Sequence, residues 1–367
     1  MNSNKTSLAT RCIALSILMP WPLVGPAFSA DPELQRSIVM YEGEGGYRTY
    51  RIPAVETAPD GTLLAFAEAR KYNWHDPGLD GNDIDLVMKR SADGGLTWSD
   101  MVIVEDPGEL WGSGNPTTIV DKENGRVWLF YFQAQPNRVV QKTLARTSDD
   151  NGKTWSEPID LSDVAGIIGP GGGIRTREGV LIAPSWGKGG LCTIYSEDHG
   201  QTWHRGSPIK KDPGGAENQL AEISNGRILM DTRQGGSVEH RWMAVSEDAG
   251  KSWSEARPGL VTPGTKVQCA IESYTLMSYG ADRDRLLWTG PSDARKNLVI
   301  RMSYDDGVTF PVERRIAEGR AAYSDITILD DESIGVLWEG QAPRTAAKWC
   351  IHFARLTRDF LEPPSGK

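Results

Sequence analysis

Short apolar runs separated by turn-forming residues dominate the pattern along this chain. Runs such as residues 62–69, 84–90, 127–132 and 242–246 are bounded mostly by Gly, Pro, Asn or Asp, as strands are. No segment keeps apolar residues at positions i, i+3, i+4 and i+7 over several turns, which is the spacing of an amphipathic helix. The pattern therefore predicts an all-β protein with few helices, and a content of 40 Gly and 13 Trp agrees with this.

An eight-residue motif recurs between these runs. It reads S-D-D-N-G-K-T-W at residues 148–155, and related copies begin at Ser91, Ser196, Ser246 and Ser303. In each copy the Asp can accept hydrogen bonds from turn amides, the Gly permits positive φ, and the aromatic residue can cover an apolar face. The motif predicts a tight turn that fastens a strand pair, without a catalytic role, because one active site does not need five equivalent acids.

The spacing of the motif predicts the architecture. Its aspartates fall at positions 93, 150, 198, 248 and 305, and a repeat of about 50 residues with strands between turns is typical of a β-propeller built from four-stranded antiparallel blades. A lead-in strand is expected at residues 31–42. Residues 31–367 are predicted to form a single domain of six blades, with seven as the alternative.

The first thirty residues differ from the rest. Lys5 and Arg11 precede an apolar run at residues 12–25, and small residues follow at positions 27–30. The apolar run is too short to span a bilayer comfortably. Residues 1–30 are predicted to be a cleaved secretory signal, with a secreted or periplasmic product that is not stably inserted in a membrane.

Charge and motif content exclude several classes of protein. The net charge of −9 makes nucleic acid a poor candidate partner. The sequence lacks a G-x-S-x-G elbow, an H-E-x-x-H helix and a C-x-x-C pair, and its five histidines are scattered, so no metal centre is predicted. Cys192, Cys269 and Cys350 form an odd set without metal-type spacing, which leaves one disulfide or none open.

One further motif makes a family resemblance specific. Tyr50-Arg51-Ile52-Pro53, followed by the five turn motifs, resembles the sialidase (exo-α-neuraminidase) family, whose members are retaining glycosidases with six-bladed propellers. By this resemblance Arg51, Arg233 and Arg295 form a triad that binds the substrate carboxylate, and Glu339 holds Arg51. The chemistry fits, since guanidinium groups bind carboxylates bidentately and stay charged.

The resemblance also implies a nucleophile and a base. Tyr323, in Ala322-Tyr323-Ser324-Asp325, matches the family's nucleophile, and Glu217 matches the base that activates it. The substrate implied by the resemblance is sialic acid, which carries a carboxylate. A carboxylate nucleophile would approach that group against like charge, so a neutral phenol suits the reaction. With an ordinary pKa near 10, the phenol is weak unless a base takes its proton.

The acid/base is expected on the loop after residues 67–70. Asp76 lies six residues beyond Arg70 and is the favoured acid, while Asp80 on the same loop remains the alternative. Arg70 matches a substrate-contacting arginine of the family, with a structural ion pair as the alternative, and Asn115 matches a polar wall position. Trp74 and Trp111 are candidates to pack on the substrate or on the barrel rim.

The resemblance implies hydrolysis of terminal α-linked sialic acid from oligosaccharides, glycoproteins or glycolipids. This chemistry requires no cofactor, and a monomer is expected. Trans-sialylation and a preference for the deaminated sugar KDN remain alternatives within the enzyme class. A non-catalytic, lectin-like propeller is the alternative from another class. The joint presence of Tyr323, Glu217 and Asp76 argues against it, since binding alone needs only the arginines.

Overall fold

The prediction of an all-β protein is confirmed. The structure is a computed structural model that describes, besides Met1, residues 34–363 without 80, 188, 211–213, 234, 236–237, 263–265 and 343–347. The proposed signal segment and Asp80 lie outside the described residues. The described part of the chain forms 25 strands, four short 3-10 helices and one four-residue α-helix.

The strands follow one another closely along the chain. Those of the first half are β1 Leu34–Tyr41, β2 Thr49–Thr57, β3 Leu63–Arg70, β4 Ile84–Ser91, β5 Val102–Glu105, β6 Gly112–Asp121, β7 Arg126–Ala134, β8 Gln141–Ser148, β9 Ile159–Asp160, β10 Ile167–Ile168, β11 Gly171–Gly172 and β12 Ile174–Arg175. Those of the second half are β13 Leu181–Trp186, β14 Cys192–Ser196, β15 His204–Arg205, β16 Ala216–Glu222, β17 Ile228–Arg233, β18 His240–Ser246, β19 Arg257–Val261, β20 Ala270–Thr275, β21 Arg285–Asp293, β22 Lys296–Ser303, β23 Val312–Ile328, β24 Ile334–Gln341 and β25 Trp349–Leu356. The 3-10 helices are Glu44–Gly46, Pro136–Arg138, Ser224–Gly226 and Met277–Tyr279, and α1 is Arg358–Leu361.

Most strands pair antiparallel with a neighbour along the chain, and they form four sheets of seven, five, nine and four strands. The nine-stranded sheet contains two runs of strands, β2–β3–β4–β5 and β6–β7–β8–β9. Ile84 of β4 pairs in parallel with Gly112 of β6 and joins the two runs. The four-stranded sheet is β16–β17–β18–β19. In the seven-stranded sheet β23 pairs with both β22 and β24, and the N-terminal β1 pairs with β25.

The repeated motifs form hydrogen-bonded turns, as predicted. In the copy at residues 148–155, the Ser148 hydroxyl donates to Asp150 (2.8 Å), and the amide of Gly152 donates to the Ser148 oxygen (2.8 Å). The amide of Thr154 donates to the Asp150 carboxylate (2.8 Å). The four other copies repeat this pattern through Asp93, Asp198, Asp248 and Asp305.

In the motif copy at residues 196–203, the glycine and the tryptophan also contribute to packing between strands. At Gly200, φ is +83°, and a Cβ there would lie 2.0 Å from a ring atom of Trp128. Trp203 of the same motif packs edge-on against Trp128, with 5.4 Å between ring centroids. The glycine thus allows both the turn conformation and a close approach, while the tryptophan covers the buried face.

The three described cysteines, Cys192, Cys269 and Cys350, are buried and free, so no disulfide forms among the described residues. In the same part of the chain, no helix has the length and apolar character needed to cross a membrane.

Candidate active site

Backbone bulges shape the site. The pairing register shifts between Arg51 and Ala54 in β2, Gly114 and Thr117 in β6, Ala216 and Asn218 in β16, and Ala321 and Ser324 in β23. Ile52, Asn115 and Glu217 within these irregularities have positive φ (54°, 55° and 44°), which is uncommon for residues other than glycine. A bulge changes the direction of the side chains next to it. Side chains at all four of these bulges line one cavity.

The cavity has a volume of about 260 Å³. The family resemblance assigned a favoured role to nine side chains, and the cavity brings together eight of them: Arg51, Arg70, Asp76, Asn115, Glu217, Arg233, Arg295 and Tyr323. The ninth, Glu339, is fully buried and contacts Arg51. These residues come from strands and loops spread over most of the chain, so the fold collects them at one place.

Tyr323, Glu217 and Arg233 form a connected triad. The Tyr323 hydroxyl donates to one carboxylate oxygen of Glu217 (2.7 Å). Arg233 donates to the other oxygen (2.6 Å) and also to the Tyr323 hydroxyl (3.1 Å). Glu217 and Arg233 belong to one hairpin, because β16 and β17 pair antiparallel with Ala216 opposite Arg233.

The phenol of Tyr323 keeps its proton in the free protein. Burial, together with the charge of Glu217, raises the pKa of Tyr323 well above its usual value, and the nearby Arg233 and Arg51 only partly oppose this. A phenolate therefore forms only when its proton moves to an acceptor within reach. The Glu217 carboxylate, which accepts the hydrogen bond from this hydroxyl, lies within that reach.

Arg51 is held from behind by Glu339. Its Nε donates to one carboxylate oxygen (2.8 Å), and the backbone amide of Ile52 donates to the other (2.7 Å). Burial alone would lower the pKa of Arg51, but Glu339, Tyr323 and Glu68 together outweigh it, and the net shift is upward. The guanidinium carbon lies 5.4 Å from the centre of the Tyr323 ring. Arg51 is thus a fixed cation directly beside the predicted nucleophile.

Arg295 occupies the turn between β21 and β22. Its φ is +57°, and its Nη2 donates to the carbonyl of Lys266 (2.9 Å). In the described part of the chain no carboxylate forms an ion pair with Arg295, in contrast to Arg51 and Arg233. Its charge therefore remains available to an anion in the cavity.

Asp76 also lines the cavity. Arg70 is fully buried and donates to Asp76 (2.9 Å) and to Glu68 (2.5 Å and 3.0 Å). The Asp76 side chain is 58% exposed, so its carboxyl can meet both a ligand and water. Glu68 also accepts from the backbone amide of Asn115 (3.0 Å), which fixes the wall position.

Sequence reasoning missed Glu68. It is fully buried, and its pKa is raised by burial and by Asp76, against the effect of Arg70. Glu68 and Arg70 stand two positions apart on β3 and hence on one face of the strand. That spacing was a usable signal in the sequence. Phe132, Ile167 and Trp186 also line the cavity without having been predicted.

A larger cavity, about 510 Å³, opens at the other end of the same strands. Glu56 of β2 and Glu272 of β20 face it, and burial raises the pKa of Glu56 to about 7 and that of Glu272 well above its usual range. None of the nine predicted site residues lines this cavity. The predicted site residues are therefore gathered at the smaller cavity and not at this one.

Comparison with known proteins places the chain in a family. The model of the family described as "BNR repeat-like domain" matches residues 61–336. The chain belongs to this family. Its relatives confirm the resemblance to sialidases: the sialidase of Micromonospora viridifaciens is 30% identical, over 84% of this chain and 52% of that protein. The exo-alpha-sialidase of Aspergillus fumigatus is 28% identical, over 89% of this chain and 90% of that protein.

Solved structures agree on the fold. Hadza microbial sialidase Hz136 superposes with a TM-score of 0.77 at 25% identity, over 89% of this chain and 69% of that chain. The intramolecular trans-sialidase of Ruminococcus gnavus, solved with oseltamivir carboxylate, superposes with a TM-score of 0.75 at 19% identity. The chain spans only 52% of the Micromonospora viridifaciens relative and 62% of the Bacteroides fragilis sialidase.

Proposed function

We propose that this protein is an exo-α-sialidase that hydrolyses terminal α-linked sialic acid with retention of configuration. The observation that carries the proposal is the hydrogen bond between Tyr323 and Glu217 in a cavity that also holds Arg51, Arg295 and Asp76. A phenol with an adjacent base, next to several cations, suits attack on an anomeric centre that bears a carboxylate.

The arginines provide the anion clamp. Arg51, Arg233 and Arg295 line the same cavity, and two of them already contact a glutamate of the protein. A substrate carboxylate would provide a further partner for these three arginines. Arg295 would supply the positive charge, because no carboxylate of the described residues neutralises it. Charge-assisted, bidentate contacts of this type fix orientation as well as affinity.

The first chemical step forms a glycosyl-enzyme. The Tyr323 oxygen attacks the anomeric carbon while its proton passes to Glu217. The bond from the anomeric carbon to the leaving oxygen breaks, and Asp76 gives its proton to that oxygen. The product is a covalent bond between Tyr323 and the sugar, with the leaving alcohol released.

The second step reverses these roles. Asp76, now a carboxylate, takes a proton from water, and the water oxygen attacks the anomeric carbon. The bond to Tyr323 breaks, and the phenolate recovers its proton from Glu217. Two displacements at one carbon give net retention. The exposure of the Asp76 side chain supports this role, because the water must reach it.

The number of blades, the domain organisation, the location and the oligomeric state of the protein are part of the same proposal. The antiparallel runs of strands support six four-stranded blades, with β1 completing the last one beside β25. Residues 31–367 would then be the single catalytic domain, secreted or periplasmic after removal of residues 1–30. We expect a monomer that acts on sialylated oligosaccharides, glycoproteins and glycolipids.

The test is release of a fluorophore from an aryl α-sialoside by the purified protein, with the anomer of the first-formed sugar followed by NMR. Fluorophore release together with the α-anomer supports a retaining sialidase. Tight binding of the sialoside without turnover would instead indicate the lectin-like alternative. Incubation with added lactose separates hydrolysis from transfer.

A further inference from the structure

A third cavity adjoins the proposed active site. It has a volume of about 310 Å³ and shares Arg51 and Arg295 with the active-site cavity. Its other walls include Trp74, Trp349 and Arg320. The two indoles meet edge to face, with 5.6 Å between ring centroids, and Trp74 is partly exposed. Aromatic walls with a few polar groups are typical of ligand-binding pockets.

The position of Trp74 relates this cavity to the leaving group. Trp74 lies two residues before Asp76 on the same loop, and its carbonyl oxygen accepts a hydrogen bond from Arg70. An acid that protonates the leaving oxygen must touch it, so the departing sugar begins next to this loop. Two arginines of the carboxylate clamp, Arg51 and Arg295, lie on the wall that the two cavities share, whereas Arg233 lines only the active-site cavity. We therefore infer that the cavity with Trp74 extends away from the bound sialic acid.

The charge of this cavity is unusual for a site that receives a neutral sugar. Its acidic wall residue is Glu339, which is fully buried and bound to Arg51. Arg320 is exposed, lies opposite Lys296 in the strand register, and has its guanidinium carbon 6.0 Å from the Trp349 ring centre. Among the residues that the structure describes, no carboxylate forms an ion pair with Arg320. The cavity thus presents a cation beyond those of the clamp.

We propose that this cavity is a leaving-group subsite that favours a sugar bearing a carboxylate, as the penultimate residue of an oligosialic chain does. The proposal rests on the proposed sialidase function. Arg320 would bind the second carboxylate, while the Trp74 indole packs on the ring of the leaving sugar. The clamp and Arg320 together would then recognise two acidic sugars in sequence.

The test compares two substrates that share the sialic acid to be removed. The ratio of kcat/KM for α2,8-linked disialic acid to that for α2,3-sialyllactose is measured in the wild type and in Arg320→Gln. We expect this ratio to fall roughly threefold to tenfold, as a partly exposed charge-assisted contact gives. The preference should also weaken with added salt in the wild type but not in the variant.

Two controls separate recognition from structural damage. Arg315→Gln removes an exposed arginine of the same strand that pairs with Glu318, and it should leave the ratio unchanged. Trp74→Ala should lower kcat/KM for both substrates while preserving affinity for the glycal of sialic acid, which has no leaving group. Equal ratios in wild type and Arg320→Gln, with both substrates cleaved, overturn the subsite alone. A wild type that cleaves neither substrate overturns the sialidase function and the subsite with it.

Discussion

The hydroxyl of Tyr323 lies 2.7 Å from a carboxylate oxygen of Glu217, although 106 residues separate the two along the chain. Both residues stand at bulges, and Glu217 has a φ of +44°. An uncommon backbone conformation in a residue with a side chain is maintained only when its surroundings determine it. The contact therefore depends on the local shape of two separate strands. Its loss should lower the rate of the chemical step more than it weakens ligand binding.

The first prediction concerns this pair. Glu217→Gln should lower kcat roughly 10²–10⁴-fold, the range lost with a general base, while affinity for the glycal of sialic acid stays within a small factor. Single-turnover kinetics and inhibitor titration check this. Tyr279→Phe is a matched control, because Tyr279 also bonds a glutamate, Glu222 at 2.9 Å, but at the other cavity. Equal losses in both variants would contradict the assignment.

The second prediction separates the arginines of the clamp. Arg51→Ala and Arg295→Ala should each weaken glycal binding by about 2–5 kcal/mol, since each removes a charged partner from a partly desolvated site. Arg51→Ala should also destabilise the fold by roughly 3–5 kcal/mol, because it leaves Glu339 buried and unpaired. Arg295 is exposed, so its replacement should leave the melting temperature almost unchanged.

Calorimetry of both variants beside inhibitor titration provides the measurement. If both arginines prove equally important for stability, the distinction between the Glu339-bound and the open arginine is wrong. If neither variant binds the glycal more weakly, the clamp is not where we place it.

The sequence was most informative for strands that carry regular apolar patterns. The runs at 62–69, 84–90 and 242–246 correspond to β3, β4 and β18. The apolar pattern did not predict strands such as β6 and β16, because their sequences, G-S-G-N-P-T-T-I-V-D and A-E-N-Q-L-A-E, are largely polar. These strands provide residues to the cavities, and a strand that lines a polar cavity loses the apolar period on which strand prediction depends.

The site residues followed from the family motifs, but their geometry did not follow from the sequence. Ile52, Asn115 and Glu217 adopt positive φ without being glycines, and no local pattern indicates this conformation for Ile or Glu. It depends on tertiary contacts such as the bond from the Ile52 amide to Glu339. Glu68, by contrast, was open to prediction from its spacing to Arg70.

The third prediction tests the structural role of the repeated motifs. Asp150→Ala should lower the free energy of unfolding by about 1–3 kcal/mol, because it leaves turn amides and the Thr154 hydroxyl without an acceptor. The specific activity of the folded fraction should stay near normal. Asp149→Ala is the matched control, since Asp149 pairs with Arg126 at the surface and should contribute little. A stable but inactive Asp150→Ala protein would place chemistry at the motif.

The same aspartate predicts an acid response. The Thr154 hydroxyl and amide lower the pKa of Asp150 to about 2. A depressed pKa means that this contribution to stability is present above the ordinary aspartate value near 4 and is lost as pH falls through about 2. Wild type should therefore lose stability relative to Asp150→Ala between these pH values. Acid unfolding curves of the two proteins that stay parallel would contradict this.

The fourth prediction concerns Asp325, two residues beyond Tyr323. It accepts hydrogen bonds from the Val55 amide (2.9 Å) and from Gln219 (3.2 Å), and burial raises its pKa to about 7. A raised carboxyl pKa means that this group's contribution to stability is lost as pH rises from about 4 through about 7. An asparagine at this position cannot titrate. The melting temperature of Asp325→Asn should therefore increase relative to that of the wild type as pH rises.

Thermal unfolding of both proteins at about pH 5 and about pH 8 measures this difference. Glu56 also has a pKa of about 7 and raises that of Asp325, so Glu56→Gln should shift the Asp325 response to lower pH. A difference in melting temperature that does not change with pH would show that Asp325 is already ionised in the folded protein.

The fifth prediction separates Asp76 from Asp80 as the acid/base. The carboxylate of Asp76 lies 2.9 Å from Arg70 Nη2 and lines the cavity, whereas Asp80 lies outside the described residues. A sugar hydroxyl is a poor leaving group and must be protonated as its bond breaks, so loss of the acid should slow cleavage of sialyllactose roughly 10²–10⁴-fold. An activated aryl group leaves without a proton, and kcat/KM for the aryl sialoside should fall far less.

Asp76→Ala should therefore lose activity in a manner that depends on the leaving group, with sialyllactose affected much more than the aryl sialoside. Asp80→Ala should show milder losses in similar proportion on both substrates, because a distorted loop impairs binding of either one. Measurement of kcat/KM for both substrates in both variants decides between them. If the two variants exchange these patterns, Asp80 is the acid, and the contact between Asp76 and Arg70 serves only to hold the loop in place.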